Sequence, residues 1–107
     1  MKWHLVFDDL AIAHSKITET QPFTIQVEGK NICLGKHQGE FYAVEDSCPH
    51  QGVSLSKGTI SSDGLLRCPK HWYLFNLTSG DCHVGSCRNL DTFPIKIDQE
   101  KLYISIY

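Results

Sequence analysis

The chain has 107 residues, 41% of them hydrophobic and 21% charged, with a formal net charge of −2. That length fits one domain, 1–107, and the composition excludes disordered, collagen-like and low-complexity classes. The ten basic residues are scattered, which argues against the clustered patch that nucleic-acid phosphates require, and no run of about 18 apolar residues suggests a membrane-spanning helix.

Taken in chain order, the signals are mostly those of strands. Trp3, Leu5 and Phe7 alternate with polar or smaller residues, as a half-buried strand does. A short helix is the reading for Asp8 to His14, with Asp8 or Asp9 as its cap. Phe23, Ile25 and Val27 repeat the alternation. Residues 31–35 and 40–44 form the arms of a hairpin around Lys36-His37-Gln38-Gly39, with Gly39 able to take a positive φ. Ser61-Ser62-Asp63-Gly64 and Thr78-Ser79-Gly80-Asp81 are further turns. A last hairpin runs from Phe93 to Ile97, turns at Asp98-Gln99-Glu100-Lys101, and returns through Leu102, Ile104 and Ile106 on one face. Many short strands separated by turns predict an all-β, antiparallel sandwich or barrel. Residues 45–85 differ in character. They are rich in Gly, Pro, Cys and His and read as loops projecting from that scaffold.

The N-terminus meets acid at Asp8-Asp9 soon after a short apolar run and shows no cleavage-like site, so no signal peptide is expected. A reducing, cytoplasmic location follows as the expectation, and disulfides are then the weaker explanation for five cysteines.

Two short motifs dominate the loop-rich middle. Cys48-Pro49-His50 is C-x-H and Cys68-Pro69-Lys70-His71 is C-x-x-H, with seventeen residues between His50 and Cys68. A lone Cys is ordinarily a small buried apolar group, and a lone His a satisfied surface or core group. Two matched Cys/His pairs, each with Pro directly after the Cys to stiffen its loop, point instead to metal. Zinc accepts two Cys and two His, but paired zinc ligands usually have two to four residues between them. The single residue between Cys48 and His50 suits a larger centre with two irons, one taking the thiolates and the other the imidazoles. Cys33 lies in an expected strand and reads as packing. Cys82 and Cys87 could form a second metal site or a disulfide, but two separate thiols is the preferred reading.

The motif pair resembles the signature of the Rieske family, and the likeness extends along most of the chain. Gly52 follows the first motif as the family's Gly does. Phe75 and Gly80 match its F…G pattern, and Leu90 with Phe93-Pro94-Ile95 resembles the approach to its final strands. The resemblance implies a Rieske-like antiparallel β-sandwich with a cluster-binding subdomain inserted at about 45–85. It also implies one [2Fe–2S] cluster held by Cys48, His50, Cys68 and His71. The implied role is a one-electron carrier rather than an enzyme, passing electrons from a flavin-dependent reductase to a terminal oxygenase. Alternatives are the small redox subunit of a nitrite-reductase-like complex and, in a different class, a structural zinc module.

Several positions depart from the high-potential members. Val53 and Lys70 stand where those proteins carry a loop-joining disulfide, and Tyr73 stands near the position of a hydrogen-bonding Ser. The resemblance is therefore to the ferredoxin and oxygenase-associated branch, and the expected potential is at the low end of the Rieske range. The third loop, His83-Val84-Gly85-Ser86-Cys87-Arg88, lacks the family's Pro, and Trp72 replaces a common Gly. Gln51, Lys70 and Trp72 are candidate contacts for a transient redox partner.

Overall fold

The structure is a computed structural model that describes residues 2–48, 52–69, 73–84 and 88–106. β1 (Lys2–Phe7), β10 (Ile95–Asp98) and β11 (Lys101–Ile106) form a three-stranded sheet in the order β1-β11-β10. β2 (Phe23–Val27), β3 (Lys30–His37), β4 (Glu40–Glu45) and β9 (Thr92–Phe93) form a second sheet in that order. Between β4 and β9 in sequence, β5 (Thr59–Ile60), β6 (Leu65–Arg67), β7 (Leu74–Asn76) and β8 (Cys82–Val84) form a third. Every pairing within these sheets is antiparallel, so the expected all-β antiparallel fold is the one adopted. The short helix α1 (Leu10–Lys16) is present, capped by Asp9, whose carboxylate accepts from the Ala11 amide at 3.0 Å.

Strand alternation explains how β3 serves two cores. Ile32 and Leu34 face inward against Leu102 and Ile104 of the first sheet and Ala13 and Ile17 of the helical segment. Cys33, between them, faces the other way, into a second core with Val44, Leu55, Ile60, Leu66, Phe75 and Leu77. The third sheet packs there at close range. A Cβ on Gly35 of β3 would lie 2.8 Å from both terminal methyls of Leu77. Glycine lets β3 and that leucine approach closely, and a side chain at the position would have to push the Leu77 methyls aside.

The β3–β4 turn is tighter than the sequence suggested. Only Gln38 and Gly39 lie outside the strands, with φ of +53° and +80°, the left-handed pair of a two-residue hairpin. The Glu19 carboxylate accepts both turn amides, each at 2.8 Å. Two expectations need correction. Leu5 does not share a buried face with Trp3 and Phe7. It is 52% exposed, because it pairs with Tyr103 on the face opposite core-facing Ile104, and only after it does a bulge at Val6 shift the register and turn Val6 and Phe7 onto the core. Residues 93–97 are not one strand. Thr92–Phe93 pairs with β4, whereas Ile95 onward pairs with β11. Pro94 at the crossing has no amide to donate to either ladder, and its carbonyl accepts from Ser105 N at 3.0 Å.

Candidate metal centre

The first motif begins three residues beyond the end of β4. Cys48 N donates to the Val53 carbonyl at 2.9 Å, and Gly52 N donates back to the Cys48 carbonyl at 2.8 Å. Gly52 has φ +69°, so the return of this loop needs a residue that enters the left-handed region without strain. The second motif begins as β6 ends. Cys68 N donates to the Tyr73 carbonyl at 2.9 Å, and β7 starts at the next residue. Each cysteine thus opens a loop closed by a bond to the residue five positions on.

Both thiols are buried. Cys48 is 1% and Cys68 2% exposed, in the same apolar cluster with Leu55, Leu66, Phe75, Leu77 and Leu90, and Tyr73 packs on its edge. Cys33 is wholly buried in that cluster too, and desolvation, helped by the nearby Asp46 charge, pushes its thiol well above the usual range. Among the described residues, Cys33 and Cys48 are not joined in disulfides; the reading for Cys82 with Cys87 falls on Cys87, outside the described residues. His50 and His71 lie outside the described residues, as do Gln51, Lys70, Trp72 and Cys87. The described part of the site is therefore its two thiols. Among the described residues no three His, Cys, Asp or Glu side chains form a metal-binding group.

The donor set fits an iron–sulfur group. Two buried thiols at the heads of backbone-closed loops enter one apolar cluster, a pair of soft donors that would suit iron.

The loops are fixed from β4 by two consecutive acids that sequence reasoning did not single out. Asp46, 5% exposed, accepts from Ser56 N at 2.9 Å and from Ser54 Oγ at 2.6 Å. Ser54 Oγ lies 2.8 Å from Ser56 Oγ, which in turn meets Thr24 Oγ1 of β2. Glu45 accepts both terminal nitrogens of Arg88, at 2.6 and 2.8 Å, and the Asp91 amide at 2.7 Å. Burial opposes the ionised form of Glu45, but the Arg88 and Asp91 bonds and the charges of Arg88 and Lys30 together hold its carboxyl below the usual range. The local signal that could have marked this was an acid two residues before a motif Cys, followed by Ser-x-Ser.

Comparison with known proteins agrees with this geometry. A family model described as Rieske [2Fe–2S] domain matches residues 9–94. Apoptosis-inducing factor 3 of Homo sapiens is 36% identical over 98 residues, covering 90% of this chain and 16% of that protein. The chain thus spans a small part of that relative's length. The ferredoxin component of the naphthalene 1,2-dioxygenase system of Pseudomonas putida is 30% identical over 97 residues, covering 90% of this chain and 92% of that one. The solved ferredoxin of carbazole 1,9a-dioxygenase from Nocardioides aromaticivorans superimposes with a TM-score of 0.85 over 100% of both chains, at 16% identity; at that identity the likeness is one of fold.

Proposed function

The chain belongs to the Rieske [2Fe–2S] domain family, and we propose that it is a one-electron carrier whose cluster is held by Cys48, His50, Cys68 and His71. The observation that carries this reading is the pair of buried thiols, Cys48 and Cys68, at the heads of two equivalently closed loops, each within a Cys/His motif. The loop-rich stretch at about 45–85 acts as the cluster-binding part of a single domain, 1–107. When bound, the cluster supplies a one-electron couple whose potential is raised, relative to an all-Cys cluster, by its two neutral imidazoles.

The chain's own residues do the rest. Cys48 and Cys68 supply thiolates from an apolar cluster that excludes water, and Leu55, Leu66, Phe75 and Leu77 are its fully buried walls. The histidines come from the same loops. The partners are a flavin-dependent reductase on one side and a terminal oxygenase on the other, and a relative named as the ferredoxin component of a dioxygenase system supports the second. Docking is brief, through a small surface. No described helix is long and apolar enough to cross a membrane. The proposed location is the cytoplasm, a reducing compartment in which Cys/His motifs serve metal more often than disulfides.

Absorption and electron paramagnetic resonance spectra of protein purified without oxygen, before and after dithionite, test the reading. A red-brown sample that bleaches and then gives a rhombic signal of low average g is expected. A colourless sample containing zinc would replace the carrier with a structural zinc module.

A further inference from the structure

We infer that Glu45 and Asp46 are paired positioning residues for the cluster, Asp46 fixing the loop that begins at Cys48 and Glu45 fixing the segment Arg88–Asp91 that follows the third loop. This rests on the proposed role of Cys48 as a ligand. Glu45 is the last residue of β4 and Asp46 follows it directly, and their side chains serve opposite sides of the chain. Asp46 divides its two oxygens between Ser56 N and Ser54 Oγ, and its own carbonyl accepts Leu55 N at 2.7 Å. The loop from Cys48 to Val53 therefore leaves and re-enters the scaffold at one anchored point, which the Ser54–Ser56–Thr24 hydroxyl chain ties on to β2.

Glu45 works on the other side. Its two oxygens grip the Arg88 guanidinium at both ends, and Glu45 N donates to the Asp91 carbonyl at 2.9 Å while Asp91 N returns a bond to its carboxylate. The same segment is tied again where Cys82 N donates to Asn89 Oδ1 at 2.8 Å and Leu90 N to the Gly80 carbonyl at 2.7 Å. The third loop of this chain has no Pro between His83 and Arg88, and the bidentate Arg88–Glu45 pair anchors the residue that ends it, with a geometry that a Lys cannot reproduce.

Three substitutions in the full holoprotein test the inference: Asp46→Asn, Glu45→Gln and Arg88→Lys. Each nearly preserves shape, and the first two cost one acceptor oxygen. Two readouts are compared with wild type. Amide exchange at Ser56 and Asp91 reads the clamps themselves. Bleaching of the visible band by an iron chelator, with the spread of g values in the reduced state, reads the cluster. Asp46→Asn is expected to speed exchange at Ser56, and Glu45→Gln at Asp91. Both are expected to lose the cluster about tenfold faster, the lower end of what outer-shell partners of metal ligands contribute, and to broaden the g values. Arg88→Lys, which keeps the charge without the fork, is expected to fall between Glu45→Gln and wild type. Faster exchange with wild-type bleaching and g values overturns the inference, because the acids would then serve folding alone. Unchanged exchange overturns it as well. A colourless wild-type protein sinks the functional reading and the inference with it, and its spectrum separates that result from failure of the clamps.

Discussion

Cys48 and Cys68 open two loops closed by the same bond, an amide to the carbonyl five residues on, at 2.9 Å in both. The repetition gives each thiol the same relation to its own backbone, although one follows β4 and the other β6. Cys33 shares their cluster but sits within β3, where ladder bonds to both neighbours fix it in place. Substituting each cysteine separates these roles. Cys48→Ala and Cys68→Ala are each expected to abolish cluster binding, measured as iron content and visible absorbance. Cys33→Ala is expected to keep the colour and to lose about 1 kcal/mol of stability, the scale of deleting one buried heavy atom, read from urea unfolding of the holoprotein.

The reduction potential is expected in the lower part of the Rieske range, between about −150 mV and zero. Hydrogen bonds to cluster sulfurs raise the potential by stabilising added charge. Here the amides of Cys48 and Cys68 are committed to Val53 and Tyr73, and the Ser54 hydroxyl to Asp46. Those donors are taken by the scaffold. Protein-film voltammetry giving a midpoint well above zero would contradict the reasoning.

Two glycines near the first loop should respond differently to alanine. Gly52 has φ +69° and open space around the missing Cβ, so Gly52→Ala carries only the left-handed backbone penalty, about 1–2 kcal/mol. Gly58 has an ordinary φ of −85°, but a Cβ there would lie 1.8 Å from the Arg67 carbonyl oxygen. Backbone must move to admit it, and Gly58→Ala is expected to cost more than about 3 kcal/mol. Chemical denaturation of the two variants checks the order; equal losses would mean that the 57–59 and 67 backbones separate easily.

Stability should fall in acid through identifiable carboxylates. Glu45 is held below its ordinary value of 4.5, Arg88 and the Asp91 amide outweighing burial. Glu19 is held below the same value by the Gly39 and Gln38 amides it accepts. A carboxyl with a lower pKa folded than unfolded stabilises fully above the unfolded pKa, and that contribution disappears as pH drops through the folded pKa. Melting temperature is therefore expected to decline below about pH 5, and Arg88→Ala and Glu19→Gln should each flatten the decline. Curves parallel to wild type would place the acid sensitivity elsewhere.

Much of this was legible in the residues alone. Period-two alternation marked β2 and β11, and Asp9 marked the start of α1, because these features depend on neighbours a few positions apart. The four candidate ligands were legible for a different reason: the chemistry needs thiol and imidazole at short fixed spacing, and spacing is written directly in the chain. The hairpin turn at Glu28-Gly29, with φ of +52° and +77°, was not read from the sequence, although it has the same form as Gln38-Gly39.

What the sequence determined by itself was thus local: alternation, turns, and the identity of the groups offered to iron. The tertiary structure decided which ladders those strands enter and what holds the loops. It placed the bulge at Val6 and divided residues 92–98 between two sheets at Pro94. It brought Arg88 to Glu45 across 43 positions and Thr24 to Ser56 across 32. No periodicity connects such pairs. They meet because packing β3 between two cores fixes where β4 ends, and the acids that end it then reach whatever the folded chain has brought alongside.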